Sequence, residues 1–274
     1  MNYLLRSIIL LVFIQVNLLN AQDFQGTAIY EVKLIDAVVS TLDDSTLDKD
    51  KAAALAESMK VFHSRKRTFV LNFNKTESVY QEEEQLELPT APTKGMVIKM
   101  VSSGFGKTYK NLVKKQEIIE RDMFLKEFLV TEPLVLIDWK LESETKKIGD
   151  YTCYKATGII PISEAEEEAY NKRVLEQEQR NSLILGIEKL LPQNITVWYT
   201  PEIPVNHGPE NLWGLPGLIL EVNDGRTITL CSKIVLNAKN NLKINAPTKG
   251  TVISQKDYDD LEQKKLREMR ESRR

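Results

Sequence analysis

Few residues in this 274-residue sequence have the types and spacing that catalysis needs. Its two histidines, His63 and His207, have no metal-ligand partner at a known spacing. A Gly-x-Ser-x-Gly motif, which would present a serine nucleophile, does not occur. His207 precedes Gly208-Pro209 in a loop close in sequence to Trp213, so it is the histidine that we treat as a candidate. These patterns predict no catalytic residue, no metal site and no cofactor.

The two cysteines, Cys153 and Cys231, lack the Cys-x-x-Cys spacing of a redox site. In an exported protein they meet an oxidising compartment, where a disulfide can form and persist. Two separate buried thiols are the alternative. The sequence therefore predicts a structural Cys153–Cys231 disulfide rather than reactive thiols.

The first 21 residues have the layout of a secretory signal peptide, with Arg6 ahead of the apolar block Ile8–Ile14 and a small residue, Ala21, at the end. The apolar block is too short to span a bilayer, which takes about 20 apolar residues. We therefore expect a protein that is exported, most simply to the periplasm, and is not membrane-spanning. The formal net charge of −2 is close to balanced, so we expect no nucleic-acid partner.

Short segments rich in β-branched and aromatic residues recur along the chain, separated by turn residues, and this pattern is typical of an antiparallel β protein. We predict a mainly β (α+β) fold, with a curved antiparallel sheet forming a half-barrel or open barrel. Residues 22–250 form one domain in this prediction, with a helical insert at about 161–194 and a charged C-terminal helix in 251–274. The predicted strands are 27–34, 67–73, 96–101, 116–121, 134–141, 151–160, 195–200, 218–222 and 227–236. The predicted helices are 45–62, 163–180 and 257–270.

Two glycines and a proline interrupt the apolar run that ends at Val222, in Gly214-Leu-Pro216-Gly217. Proline followed by glycine favours a type II turn, in which Gly217 takes a positive φ. Downstream, Asn223-Asp-Gly225 indicates a hairpin. A three-residue loop with Gly225 in the left-handed region keeps one face apolar. That register places Leu220 opposite Ile228, Leu218 opposite Leu230, Glu221 opposite Thr227 and Cys231 opposite Gly217.

Four motifs resemble, in order and spacing, the GLPGLI family of exported proteins from Bacteroidetes. They are Ile148–Ala156, Val197–Pro204, Gly208-Pro209 and Gly214–Ile219. The likeness covers about residues 24–250, and the charged segment 161–194 departs from the family pattern. The resemblance implies export and the turn before the strand at Leu218, but no activity, and it suggests a partner in the cell envelope.

The leading functional hypothesis is a non-catalytic binding or assembly protein of the periplasm that acts with an outer-membrane or periplasmic protein. The alternatives are a carrier that encloses an apolar ligand in its curved sheet and a hydrolase that uses His207. The predicted binding loop contains one histidine and three aromatic residues: His207, Trp213, Trp198 and Tyr199. Gly214, Pro216, Gly217 and Gly225 are predicted to be turn residues.

Overall fold

The computed structural model describes residues 24–35, 67–83, 106–179, 190–237, 242 and 244–271. These residues contain twelve strands that belong to one sheet, together with two helices. The strands are β1 Gln25–Leu34, β2 Arg67–Asn74, β3 Glu77–Glu82, β4 Thr108–Asn111, β5 Gln116–Met123, β6 Lys126–Pro133, β7 Asp138–Ile148, β8 Tyr151–Ile160, β9 Gln193–Thr200, β10 Leu218–Asn223, β11 Thr227–Leu236 and β12 Thr251–Ile253. The helices are α1 Glu164–Gln179 and α2 Gln255–Glu271.

The strand order is β12-β6-β5-β4-β3-β2-β1-β11-β10-β9-β8-β7. All neighbours pair antiparallel except β12, which runs parallel to β6. The sheet is open, because β12 and β7 lie at its two ends and do not pair with each other. The predicted mainly β fold with peripheral helices is confirmed.

The largest cluster of buried side chains is built by alternation along the central strands. In β1, Ala28 and Tyr30 are fully buried while their neighbours are half-buried, as expected for a strand with one face in the core. This first cluster joins side chains of seven strands and of the loop after β9: Ala28, Tyr30, Phe69, Leu71, Phe73, Tyr80, Cys153, Trp198, Ile203, Val205, Leu218, Leu220 and Cys231.

Two further clusters hold the outer parts of the sheet. The second cluster packs side chains of β8, β9 and β10 against the loop after β9, and contains Ala156, Ile195, Val197, Tyr199, Leu212, Leu215, Ile219 and Val222. The third cluster packs α2 on β5 and β6 through Tyr258, whose ring meets Phe128 edge-on at 5.6 Å. Arg121 lies over the same tyrosine ring at 5.6 Å.

Both helices begin at serine caps. Ser163 Oγ accepts a hydrogen bond from the Glu166 amide, and the Glu166 carboxylate accepts one from the Ser163 amide, which is a capping box. At α2, Ser254 Oγ accepts a hydrogen bond from the Asp257 amide, and the Ser254 hydroxyl donates to the Asp257 carboxylate. Helix α1 has three glutamates in its first turn and no basic residue in its last turn. The helix predicted over 45–62 and the strand predicted over 96–101 lie outside the described residues.

The predicted register of the hairpin between β10 and β11 is wrong. Glu221 pairs with Leu230 and Asn223 with Ile228, so four residues, 224–227, lie between the last paired residues instead of three. Asp224 sets this turn, because its Oδ1 accepts hydrogen bonds from the amides of Arg226 and Thr227. Gly225 has the predicted positive φ, at 84°. Leu218 therefore does not face Leu230, and Gly217 does not face Cys231.

Gly217 is required for a different reason from the one predicted. Its φ is not in the positive range, whereas that of Gly214 is, at 98°. A Cβ atom on Gly217 would lie 2.3 Å from the carbonyl oxygen of Thr200 and 2.8 Å from the nitrogen of Pro201. The glycine therefore allows two backbone segments to approach each other closely, rather than completing a type II turn.

Cys153 and Cys231 are both free thiols in the structure, so the predicted disulfide is not present in it. Burial raises the pKa of Cys153 to about 11 and that of Cys231 to about 12, so both are protonated at neutral pH. Each is within 4 Å of a backbone carbonyl, that of Tyr151 at 3.8 Å and that of Lys233 at 3.6 Å. Unreactive thiols agree with the absence of a redox motif.

Candidate functional site

A row of buried polar side chains crosses three neighbouring strands. Ser78 on β3 is the register partner of Lys110 on β4, and Lys110 is the register partner of Glu117 on β5. Register partners in an antiparallel sheet lie side by side on one face. Ser78 and Lys110 are fully buried, and Glu117 is 7% exposed. The row therefore places an amine between a hydroxyl and a carboxyl group inside the protein.

The loop 201–217, between β9 and β10, lies against this row. The Nζ atom of Lys110 donates hydrogen bonds to the carbonyl oxygens of Gly208 and Leu212, each at 2.7 Å. An ammonium group has three N–H donors, so these bonds use two of them. Because β4 is five positions from β10 in the sheet, Lys110 fixes the loop to a distant part of the fold.

Burial has large effects on the ionisation of this row. It lowers the pKa of Lys110 to about 7, although the nearby carboxylates of Glu117 and Glu210 favour the charged amine. Burial also raises the pKa of Glu117, which Lys110 partly offsets. Glu210 lies in the loop with a φ of 50° and keeps contact with solvent. Desolvation of its carboxyl by neighbouring protein groups raises its pKa, and the Asp224 carboxylate adds to this. The row thus contains a buried amine whose charged form is disfavoured by burial and supported by two carbonyl oxygens.

His207 is fully buried next to the row. Its backbone forms a β-bridge with Trp213, and its carbonyl accepts a hydrogen bond from the Ile219 amide. Neither ring nitrogen has a hydrogen-bond partner among the described residues. Burial lowers its pKa to about 3, and Lys110 acts in the same direction. The Asn74 backbone carbonyl favours the protonated ring and so raises the pKa of His207 slightly. It does not form a hydrogen bond of good geometry with either ring nitrogen.

This state of His207 predicts a loss of stability in acid. The unfolded chain takes up the proton near pH 6.5, while the folded protein takes it up only near pH 3. Between these values the unfolded state binds more protons, so the free energy of unfolding falls as the pH falls, by about 1.4 kcal/mol per pH unit for one group. We expect the difference in stability between wild type and His207→Gln to shrink from pH 6.5 to pH 4.5. Urea unfolding of both proteins across this range measures it, and a difference that does not change with pH would contradict the buried neutral state.

Other buried polar atoms near the row also lack partners within the described residues. They are Ser78 Oγ, Tyr80 Oη and Glu117 Oε2. Tyr80 lies on β3 two residues from Ser78, and burial raises the pKa of its hydroxyl, with a further contribution from Glu210. None of these atoms makes a hydrogen bond with His207. The structure therefore does not join His207 to a serine or a carboxylate, which a hydrolase would need.

The four residues of the predicted binding loop do not form one surface. Trp198 and Tyr199 are consecutive residues of β9 and are buried in different clusters. Lys146 Nζ lies 4.3 Å from the centre of the Trp198 ring and pairs with Glu221 at 2.7 Å. The indole of Trp213 donates to the Val135 carbonyl at 2.8 Å. Only His207 and Trp213 are brought together, and both support the loop.

The described residues contain no group of three or more histidine, cysteine, aspartate or glutamate side chains that could hold a metal ion. Nor does the described part of the chain contain a helix with the length and apolar character needed to cross a membrane.

A cavity of about 250 Å³ lies between α1 and α2, and charged residues such as Glu168, Lys172, Lys256 and Asp260 line it.

One family model matches part of the chain. Residues 139–221 match the family described as "Protein of unknown function (Porph_ging)". The match runs from β7 to β10, so it includes the loop 201–217 and His207 but not Ser78, Lys110 or Glu117. No curated protein matches the chain.

Two solved structures of a much longer protein resemble this chain weakly, at low sequence identity. One is titled "Structure of PNGF-II in C2 space group", with a TM-score of 0.48, 14% identity, and coverage of 88% of this chain and 33% of that chain. The other, "Structure of PNGF-II in P21 space group", has a TM-score of 0.47, 14% identity, and coverage of 86% and 32%. The present chain therefore spans about a third of that protein's length.

Proposed function

We propose that this protein is a non-catalytic binding or assembly protein that is exported to the periplasm and acts with an outer-membrane or periplasmic protein. One observation supports the non-catalytic role most strongly. His207, the one candidate catalytic side chain, is fully buried, is neutral at ordinary pH because burial lowers its pKa to about 3, and is not bonded to a hydroxyl or carboxylate. A general base needs contact with its substrate and with the group that orients it.

The location in this proposal rests on the first 21 residues, which lie outside the described part of the chain. The likeness to the GLPGLI proteins of Bacteroidetes, carried by Gly214–Ile219, supports the same location.

Capture from envelope extracts tests the proposal. The full chain is immobilised beside two controls, the same protein unfolded by heat and the folded variant His207→Gln. We expect the wild type and His207→Gln to retain the same envelope protein and the unfolded chain to retain none of it. The proposal is wrong if the folded wild type retains nothing beyond the unfolded control. It is also wrong if the wild type hydrolyses a component of the extract and His207→Gln does not.

A further inference from the structure

The hairpin between β5 and β6 has an unusual tip. Met123 pairs with Lys126, so Phe124 and Leu125 form a two-residue loop. Their φ angles are 48° and 66°, and positive values at both positions are what a type I′ turn requires. Asn-Gly is the usual sequence there, because bulky side chains are strained at positive φ. This hairpin therefore keeps two large apolar residues at positions that favour glycine and asparagine.

The fold does not bury these side chains. Leu125 is fully exposed and Phe124 is 48% exposed, whereas Met123 directly beneath them is 7% exposed. Met123 and Phe128 belong to the third cluster, where α2 packs on the base of the hairpin. The tip is thus two exposed apolar side chains on a firmly packed base. Strained residues that the fold itself does not use indicate a function.

We propose that the Phe124-Leu125 tip is a contact point that inserts into an apolar pocket on the protein partner. This inference rests on the proposed binding function, and it names the surface that the partner would recognise. Large apolar side chains that enter a pocket at the centre of an interface commonly contribute most of the binding energy. A tight hairpin presents them with little conformational freedom to lose on binding.

The surroundings of the tip favour a protein pocket over a bilayer or a second copy of the chain. The exposed charged residues beside it are Asp122, Lys126 and Glu127, so the tip lacks the basic cluster that attracts anionic lipid headgroups. A symmetric contact between two such tips would bury far less than the roughly 800 Å² that each partner buries in a standard interface. A pocket on a larger protein can surround the tip and add contacts around it, so the tip suits an anchor position in such an interface.

The decisive variant is Phe124→Asn combined with Leu125→Gly, because it removes the apolar surface and the backbone strain together. We expect this double variant to melt at a higher temperature than wild type, since Asn-Gly is the preferred type I′ sequence. Val113→Asn is the matched control. Val113 is also an apolar residue in a hairpin turn, at the other end of β5, and is 74% exposed.

Binding is measured by competition with the full chain carrying a photo-crosslinking phenylalanine at position 125. On illumination in an envelope extract, we expect a cross-link to one envelope protein. Unlabelled wild type and Val113→Asn should suppress it at the same concentration. The double variant should need an about 30-fold higher concentration to suppress the cross-link equally, because a loss of this size is typical when an anchor residue is removed.

The outcomes separate this inference from the proposed function. If the double variant competes as well as wild type, or position 125 does not cross-link to the protein that the immobilised chain captures, the tip is not the contact and the binding function stands. Cross-linking to a second copy of the chain overturns the inference. So does co-flotation of wild type, but not of the double variant, with phosphatidylethanolamine–phosphatidylglycerol vesicles. If the folded chain captures no envelope protein, the proposed function fails, and this inference fails with it.

Discussion

Gly217→Ala is expected to prevent stable folding. The added Cβ would lie 2.3 Å from the Thr200 oxygen and 2.5 Å from the Thr200 carbonyl carbon, and both atoms belong to the backbone. To relieve this clash, the end of β9 would have to shift relative to the start of β10, where Leu218 and Leu220 enter the first cluster. Overpacking against a side chain costs about 1–3 kcal/mol, and a backbone clash should cost more. Circular dichroism and thermal melting of the purified variant measure the loss.

Gly149→Ala is the matched control for this substitution. Gly149 lies in the turn between β7 and β8 with a φ of 58°, and a Cβ there would meet nothing within 4 Å. It should cost only the strain of a left-handed residue, about 1–2 kcal/mol. If Gly217→Ala melts at the same temperature as Gly149→Ala, the close approach of the two backbone segments is not what requires glycine.

Leu220→Ala is the second large effect, with an expected loss of about 2–5 kcal/mol in the free energy of unfolding. Leu220 is 1% exposed within the first cluster, so truncation leaves a cavity that the surrounding strands cannot readily fill. Leu230→Ala on the next strand is the control. That leucine is 38% exposed, and we expect its loss to cost about 1 kcal/mol or less.

Urea unfolding of both leucine variants compares the two sites directly. Equal losses would show that Leu220 is not a core residue. A wild-type stability for Leu220→Ala with loss of partner capture would show that the strand after Pro216 is a binding surface instead. We instead expect Leu220→Ala to lose stability. The fraction of the variant that remains folded should still capture the partner.

The sequence predicted most of the strands that carry several β-branched or aromatic residues, but it missed β3, β4, β6 and β12. The bounds of β8 and β11 agree with the predicted segments 151–160 and 227–236. Strand β3, with the sequence ESVYQE, and strand β4, with TYKN, carry buried polar side chains. Because their burial depends on partners far away in the chain, a local pattern cannot reveal it.

The candidate site was harder to predict than the fold for the same reason. His207 stood out because histidine is rare in this chain, and it does lie within the buried polar region. Lys110 gave no local signal, since a lysine in a short polar segment ordinarily lies on the surface. Its burial follows from two long-range features: the register that aligns it with Ser78 and Glu117, and the loop that returns to it near Gly208.

The sequence correctly singled out Gly217, but for the wrong physical reason. Proline followed by glycine suggested a positive φ at Gly217, whereas the positive φ belongs to Gly214 and Gly225. What requires glycine at 217 is the Thr200 carbonyl across the strand pair. The pairing of β10 with β9 creates that contact, so it cannot be predicted from the local turn sequence.

The central claim, binding without catalysis, is tested most directly by titrating the captured envelope protein with wild type and with His207→Gln in a calorimeter. The account predicts the same dissociation constant for both proteins and a heat signal that ends at saturation, because His207 supports the loop from inside the fold. Heat release that continues with turnover for wild type and is absent for His207→Gln would contradict it.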